Sequence, residues 1–236
     1  MRFAYLIEPP FNFLGRDGVA TGCDVELARY VAQQISAAPF EPDETEFADL
    51  LPGLSDGRWR MTTGLLQTDD RRRTAAFSRP IWAQSDGLLV RGDNPRRLSG
   101  YRSLARNREA RFAVIRDQIQ HRTALDLGVG QPQITVFDTY AHAAQAVRDG
   151  KVDAYASVGR AHSAFIAHVP DWGLALVPVP TEEAPPAFGA FVVHRDDRAF
   201  LRDVIAVLAA FLGTDAHRAI LASFGASQDE PSRSAD

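Results

Sequence analysis

A single cysteine, Cys23, excludes an internal disulfide and any cysteine-based metal cluster. The histidines (His121, His142, His162, His168, His194 and His217) form no HExxH or paired ligand spacing, so no metal and no other cofactor is expected. Long apolar runs are missing too. None approaches the roughly 18 residues of a membrane span, so the chain is not expected to be membrane-embedded. A secretory signal needs a charged start followed by a sustained apolar stretch. Here Phe3-Ala4-Tyr5-Leu6-Ile7 is followed at once by Glu8, Pro9 and Pro10. That segment reads as a first strand, and the chain as either cytoplasmic or a mature periplasmic form carried behind a start methionine. Charge of one sign is also scarce, with a formal net charge of -4. The densest basic run, Arg71-Arg72-Arg73, directly follows Asp69 and Asp70, and no aromatics are interleaved with a basic groove. A nucleic-acid partner is therefore not expected on electrostatic grounds.

What is present is an ordinary globular composition, 45% hydrophobic and 24% charged, long enough for one large domain or two small lobes. The continuously apolar segment Phe3–Ile7 predicts a buried strand, and further strands are expected at Met61–Leu66, Gly87–Val90, Phe112–Ile115, Val152–Val158 and Phe188–Val193. Val25, Ala28, Val31 and Ile35 recur on one helical face, with Asp24 placed to cap that helix. Further helices are expected over Phe47–Leu54 (ended by Gly57 in a C′-like position), Arg122–Leu127, Tyr140–Asp149, Arg198–Leu212 and Ala216–Phe224. Alternation of strands and helices predicts parallel-type sheets flanked by helices, an α/β fold. The polar, basic stretch from Asp93 to Arg111 and the proline-rich stretch from Pro178 to Pro186 read as two crossings. One lobe would then comprise 1–90 plus 188–226, the other 91–187 would be inserted in it, and the polar residues 227–236 would form a flexible tail.

Several segments, in order along nearly the whole chain, carry a resemblance. Glu8-Pro9-Pro10-Phe11-Asn12-Phe13 followed by Gly22-Cys23-Asp24-Val25-Glu26-Leu27-Ala28 is one. Phe47-Ala48-Asp49-Leu50-Leu51-Pro52-Gly53-Leu54 is the second. The third runs Gly64-Leu65-Leu66-Gln67-Thr68-Asp69-Asp70-Arg71, then Phe77-Ser78-Arg79-Pro80, with Arg three and Phe nine positions after Thr. Gly150-Lys151-Val152-Asp153-Ala154 and Phe188-Gly189-Ala190 add weaker echoes. Together they resemble the type II periplasmic solute-binding proteins, in the family 3 branch that serves ABC importers of polar amino acids.

The resemblance implies two hinge-connected lobes that close on a small carboxylate-bearing ligand, with ABC permease subunits as partners. It puts Arg71 in the carboxylate-binding role, which suits a planar, permanently charged fork. It adds Thr68, at the start of a helix whose amides could help hold an anion. Phe47 is the stacking aromatic, and Phe11, Leu66, Gln118 and Ser157 complete the ligand-binding set. The family's usual carboxylate for a ligand ammonium falls at Val158, with only Ser157 beside it. Glu8 stands where an aromatic is common, and is the candidate replacement. No catalytic residue is assigned, and a monomer is expected.

Competing motifs are weaker. Gly53-Leu54-Ser55-Asp56-Gly57 matches a nucleophile elbow, but that turn needs a strand before the serine and a helix after it, and here a helix precedes. Gly128-Val129-Gly130 lacks the third glycine of a dinucleotide loop. Two alternatives share the fold: a cyclohexadienyl dehydratase-like lyase using Glu8 as general acid, and a ligand-sensing module.

Overall fold

The computed structural model describes residues 1–35 and 39–225; the expected tail at 227–236 lies outside the described residues. The chain opens with strand β1 (Arg2–Tyr5), the hairpin β2 (Phe13–Leu14) and β3 (Ala20–Thr21), helix α1 (Cys23–Ile35) and strand β4 (Glu41–Glu44). A 3₁₀ turn over Phe47–Asp49 leads into α2 (Leu50–Ser55), then β5 (Met61–Leu66), α3 (Asp69–Thr74), β6 (Ala75–Phe77) and β7 (Trp82–Gln84). Next come β8 (Asp86–Arg91), α4 (Tyr101–Arg106), β9 (Phe112–Ile115), α5 (Ile119–Asp126), β10 (Ile134–Phe137) and α6 (Tyr140–Arg148). Strand β11 (Ala154–Val158), α7 (Gly159–His168) and β12 (Leu174–Pro178) precede the return strand β13 (Ala187–His194) and helices α8 (Arg198–Phe211) and α9 (Asp215–Ser223).

Two compact units result. The first comprises Met1–Thr45, Asp49–Ala83 and the chain from Ala187 onward; the second comprises Glu46–Ala48 and Gln84–Pro186. In the first unit the strand order is β4-β1-β5-β13-β6, with β7 also pairing β13. Strand β1 is buried on both faces, so its residues read as one apolar run, and it pairs in parallel with β4 and β5. Val25, Ala28 and Val31 of α1 and Phe200, Val204 and Leu208 of α8 recur at helical spacing and meet Phe3, Met61, Phe191 and Val193 in one core. The second unit has strand order β10-β9-β11-β8-β12. Its core gathers Leu88, Val90, Tyr101, Leu104, Phe112, Val114, Ala154 and Ala156.

Four details differ from the sequence reading. The sheets are mixed rather than purely parallel: β13 runs antiparallel to β5 and β6, and β8 antiparallel to β11 and β12. A βαβ crossover imposes parallel direction, and neither β8 nor β13 enters its sheet through one. Residues 86–90, read as the end of the first lobe, form a central strand of the second sheet. The stretch 93–111 is more than a connection, because it holds α4, whose Tyr101 and Leu104 are fully buried. Finally, Glu-Pro-Asp-Glu forms edge strand β4, which the composition conceals; it pairs with β1 along the backbone, and Arg2 Nε of β1 donates to Asp43 Oδ2 at 2.8 Å. The elbow-like motif resolves as expected: Ser55 ends α2, Gly57 takes φ +71, and a Cβ on Gly53 would lie 2.0 Å from the Trp59 ring.

Candidate functional site

Strand β5 delivers the first group of candidate residues. Leu66, buried at its end, accepts a hydrogen bond from Arg71 Nη1 at 2.9 Å. Thr68, in extended backbone, caps α3 by accepting from the Arg71 amide at 3.2 Å. Arg71 is thus half-buried and tied to the strand end, while its neighbours are exposed. Arg72 bonds Gln67 and lies 5.4 Å from the centre of the Phe77 ring; Arg73 pairs with Asp70. The helix that Thr68 opens is short. Helix α3 has only six residues, and the Arg71 and Arg72 amides are taken by Thr68 Oγ1 and Thr68 O. The Arg71 guanidinium beside it is a permanent positive charge.

Glu8 and Phe11 belong to a tight turn of the same unit. Glu8 and Asn12 form a β-bridge, and the Phe11 and Asn12 amides both donate to Glu8 O, at 3.0 and 3.2 Å. Glu8 is half-buried and Phe11 buried. The ring of Phe11 packs on Trp82, centroids 5.3 Å apart.

Asp24 is not the helix cap that its position suggested. It lies inside α1, 2% exposed, and its carboxylate faces the sheet. Oδ2 accepts from Thr63 Oγ1 at 2.8 Å and from the Gly64 amide at 2.9 Å, and Oδ1 from Trp82 Nε1 at 3.1 Å. Asn12 Nδ2 in turn donates to Thr63 Oγ1 at 2.8 Å. A buried carboxylate is tolerated when its oxygens are filled this way. Losing one such partner leaves a desolvated group, at a cost of about 1–3 kcal/mol.

The remaining candidates belong to the second unit, so the set divides between the two. Phe47 begins the 3₁₀ turn and is half-buried. Gln118, 7% exposed, precedes α5, and its Oε1 has no hydrogen-bond partner among the described residues. Ser157, 2% exposed, sits on β11 opposite Gly87 of β8. Beside Gly87, Asp86 accepts from Tyr101 OH at 2.6 Å and from Gln120 Nε2 at 2.8 Å. Burial raises the Asp86 carboxyl above its ordinary pKa, against the lowering effect of those two hydrogen bonds. Burial and the adjacent carboxylate push the Tyr101 hydroxyl well above its own. Sequence reading missed this cluster because its members lie 15 and 34 residues apart. It missed Trp82 and Thr63 for a similar reason: a lone tryptophan and a threonine within a strand read as core.

Comparison with known proteins bears on the whole chain. Residues 1–226 match the bacterial extracellular solute-binding proteins, family 3. The chain belongs to that family. A probable amino-acid ABC transporter periplasmic-binding protein of Sinorhizobium fredii is 28% identical over 92% of this chain and 74% of its own length. Among solved structures, EhuB in complex with hydroxyectoine superposes with a TM-score of 0.88 at 24% identity, over 96% of this chain and 88% of that one. The ancestral amino-acid-binding protein AncCDT-1, a precursor of cyclohexadienyl dehydratase, gives 0.81 at 21% identity, over 95% and 94% of the two chains. At those identities the two structures speak for the fold alone.

Proposed function

We propose that the chain is the receptor of an ABC importer, working outside the cytoplasmic membrane as a monomer and delivering a small carboxylate-bearing solute to the permease. The observation that carries this reading is Arg71. It is the half-buried member of three adjacent arginines, and it is tethered by Leu66 O and capped through Thr68. A guanidinium held in this way is suited to a bidentate grip on a carboxylate. The Sinorhizobium fredii relative is named for amino acids, which supports a zwitterionic ligand. Glu8 supplies the cation partner within the same unit.

A thermal-shift screen against amino acids, opines, dicarboxylates, aromatic acids and cyclic zwitterions tests the proposal. A ligand present at a hundred times its dissociation constant stabilises the fold by about 2.7 kcal/mol. At least one carboxylate class should raise the melting temperature, and chromatography should recover that ligand unchanged. Conversion of the ligand, or no shift with any carboxylate, contradicts the reading.

A further inference from the structure

The side chain of Trp82 has an unusual foundation. Trp82 is partly exposed, yet everything that fixes it lies in the first unit. Its indole N–H is held by the buried Asp24 carboxylate at 3.1 Å. Its ring covers two glycines on adjacent strands. A Cβ on Gly189 would lie 2.1 Å from the indole, and one on Gly64 2.9 Å from it, so any side chain at either position would push the ring away. Phe11 closes the arrangement from the Glu8 turn.

The same glycine ties this wall to the guanidinium. Gly189 is the register partner of Leu66, and Leu66 O holds Arg71 Nη1. The indole and the proposed carboxylate anchor are therefore carried by one pair of strand residues. A carboxylate bonded to the indole N–H adds electron density to the ring, which strengthens attraction for a cation over its face. An aromatic face satisfies a delocalised or alkylated cation, which is weakly hydrated and has few N–H donors. A primary ammonium instead requires several acceptors.

We propose that Trp82, locked by Asp24 against Gly64 and Gly189, is a specificity-determining wall that selects carboxylates bearing a delocalised or alkylated cation over those bearing a primary ammonium. This deepens the receptor reading and rests on it.

Calorimetric titration with matched pairs tests the inference: ectoine against 2,4-diaminobutyrate, glycine betaine against glycine, and β-alanine betaine against β-alanine. The parent protein should bind at least one member of the first class about tenfold or more tighter than its pair mate, the upper part of the cation–π range. Trp82→Leu should erase most of that ratio. Trp82→Phe, which keeps a π face without the N–H, should keep part of it and guards against a folding failure of the first variant. Circular dichroism and melting temperature confirm that each variant is folded. A parent that prefers the primary ammonium, or folded variants that both retain its full ratio, overturns the inference. If none of the six ligands binds while another carboxylate does, the inference falls and the receptor reading stands; if no carboxylate binds at all, both fall.

Discussion

Arg71, Arg72 and Arg73 have the same side chain and consecutive positions, yet the fold treats them differently. One is half-buried and tied to a strand end, one lies over an aromatic ring, and one pairs with an exposed aspartate. Sequence spacing from Thr68 and to Phe77 pointed to Arg71, and of the three it is the one half-buried and bonded to the strand end. The Asp24–Trp82 pairing was not legible. It joins residues 58 positions apart through a side-chain hydrogen bond that leaves no periodic mark. Glu8 stands between these cases: its substitution for an aromatic was visible, its turn with Asn12 was not. If Glu8 balances a ligand cation, Glu8→Gln should weaken cationic ligands about tenfold or more, as loss of a charge-assisted contact implies. Neutral carboxylates of the same shape should be nearly unaffected. Equal losses for both classes in calorimetry remove Glu8 from that role.

At the scale of elements, strands Met61–Leu66 and Phe112–Ile115 were located to the residue, the second because burial on both faces leaves it wholly apolar. Elements with a polar composition escaped. Strand β4 is acidic at an edge, and α4 buries only Tyr101 and Leu104. Strand direction escaped as well, because a run of apolar residues carries no sign. Helix α8 supplies a testable case. Asp197 caps it by accepting from the Phe200 amide at 3.2 Å and pairs with Arg60 at 2.9 Å. The Arg60 hydrogen bond holds the Asp197 carboxyl below its ordinary pKa, against a smaller opposing effect of burial. A depressed carboxyl gives stability that is complete above its unfolded pKa and lost as pH falls through its folded one. Asp197→Ala should therefore lower stability by about 1 kcal/mol near neutrality, the usual value of a lost cap. In thermal melts, the gap between parent and variant should shrink as pH drops below the ordinary carboxylate range. A gap that is constant with pH would detach the cap from the charge.

At the scale of the whole molecule, the ordered series of motifs made the family legible although each motif alone is modest. Their separations are set by elements that the fold places at fixed intervals. The boundary near residue 84 was less legible because β7 and β8 are separated only by Ser85, with no linker-like stretch to mark where the units change. The account depends on one arginine of the first unit anchoring the ligand. Titration of the best thermal-shift ligand against Arg71→Ala, Arg71→Lys, Arg72→Ala and Arg73→Ala tests it most directly. Truncating one partner of a buried, hydrogen-bonded ion pair costs about 2–5 kcal/mol. Arg71→Ala should thus weaken binding about 30-fold to a few thousandfold. Arg71→Lys should also bind poorly, because a point charge does not reproduce a two-pronged contact. Loss at Arg72 and Arg73 should be only a few-fold and should fade with added salt. Parent-like affinity in folded Arg71→Ala would contradict the account.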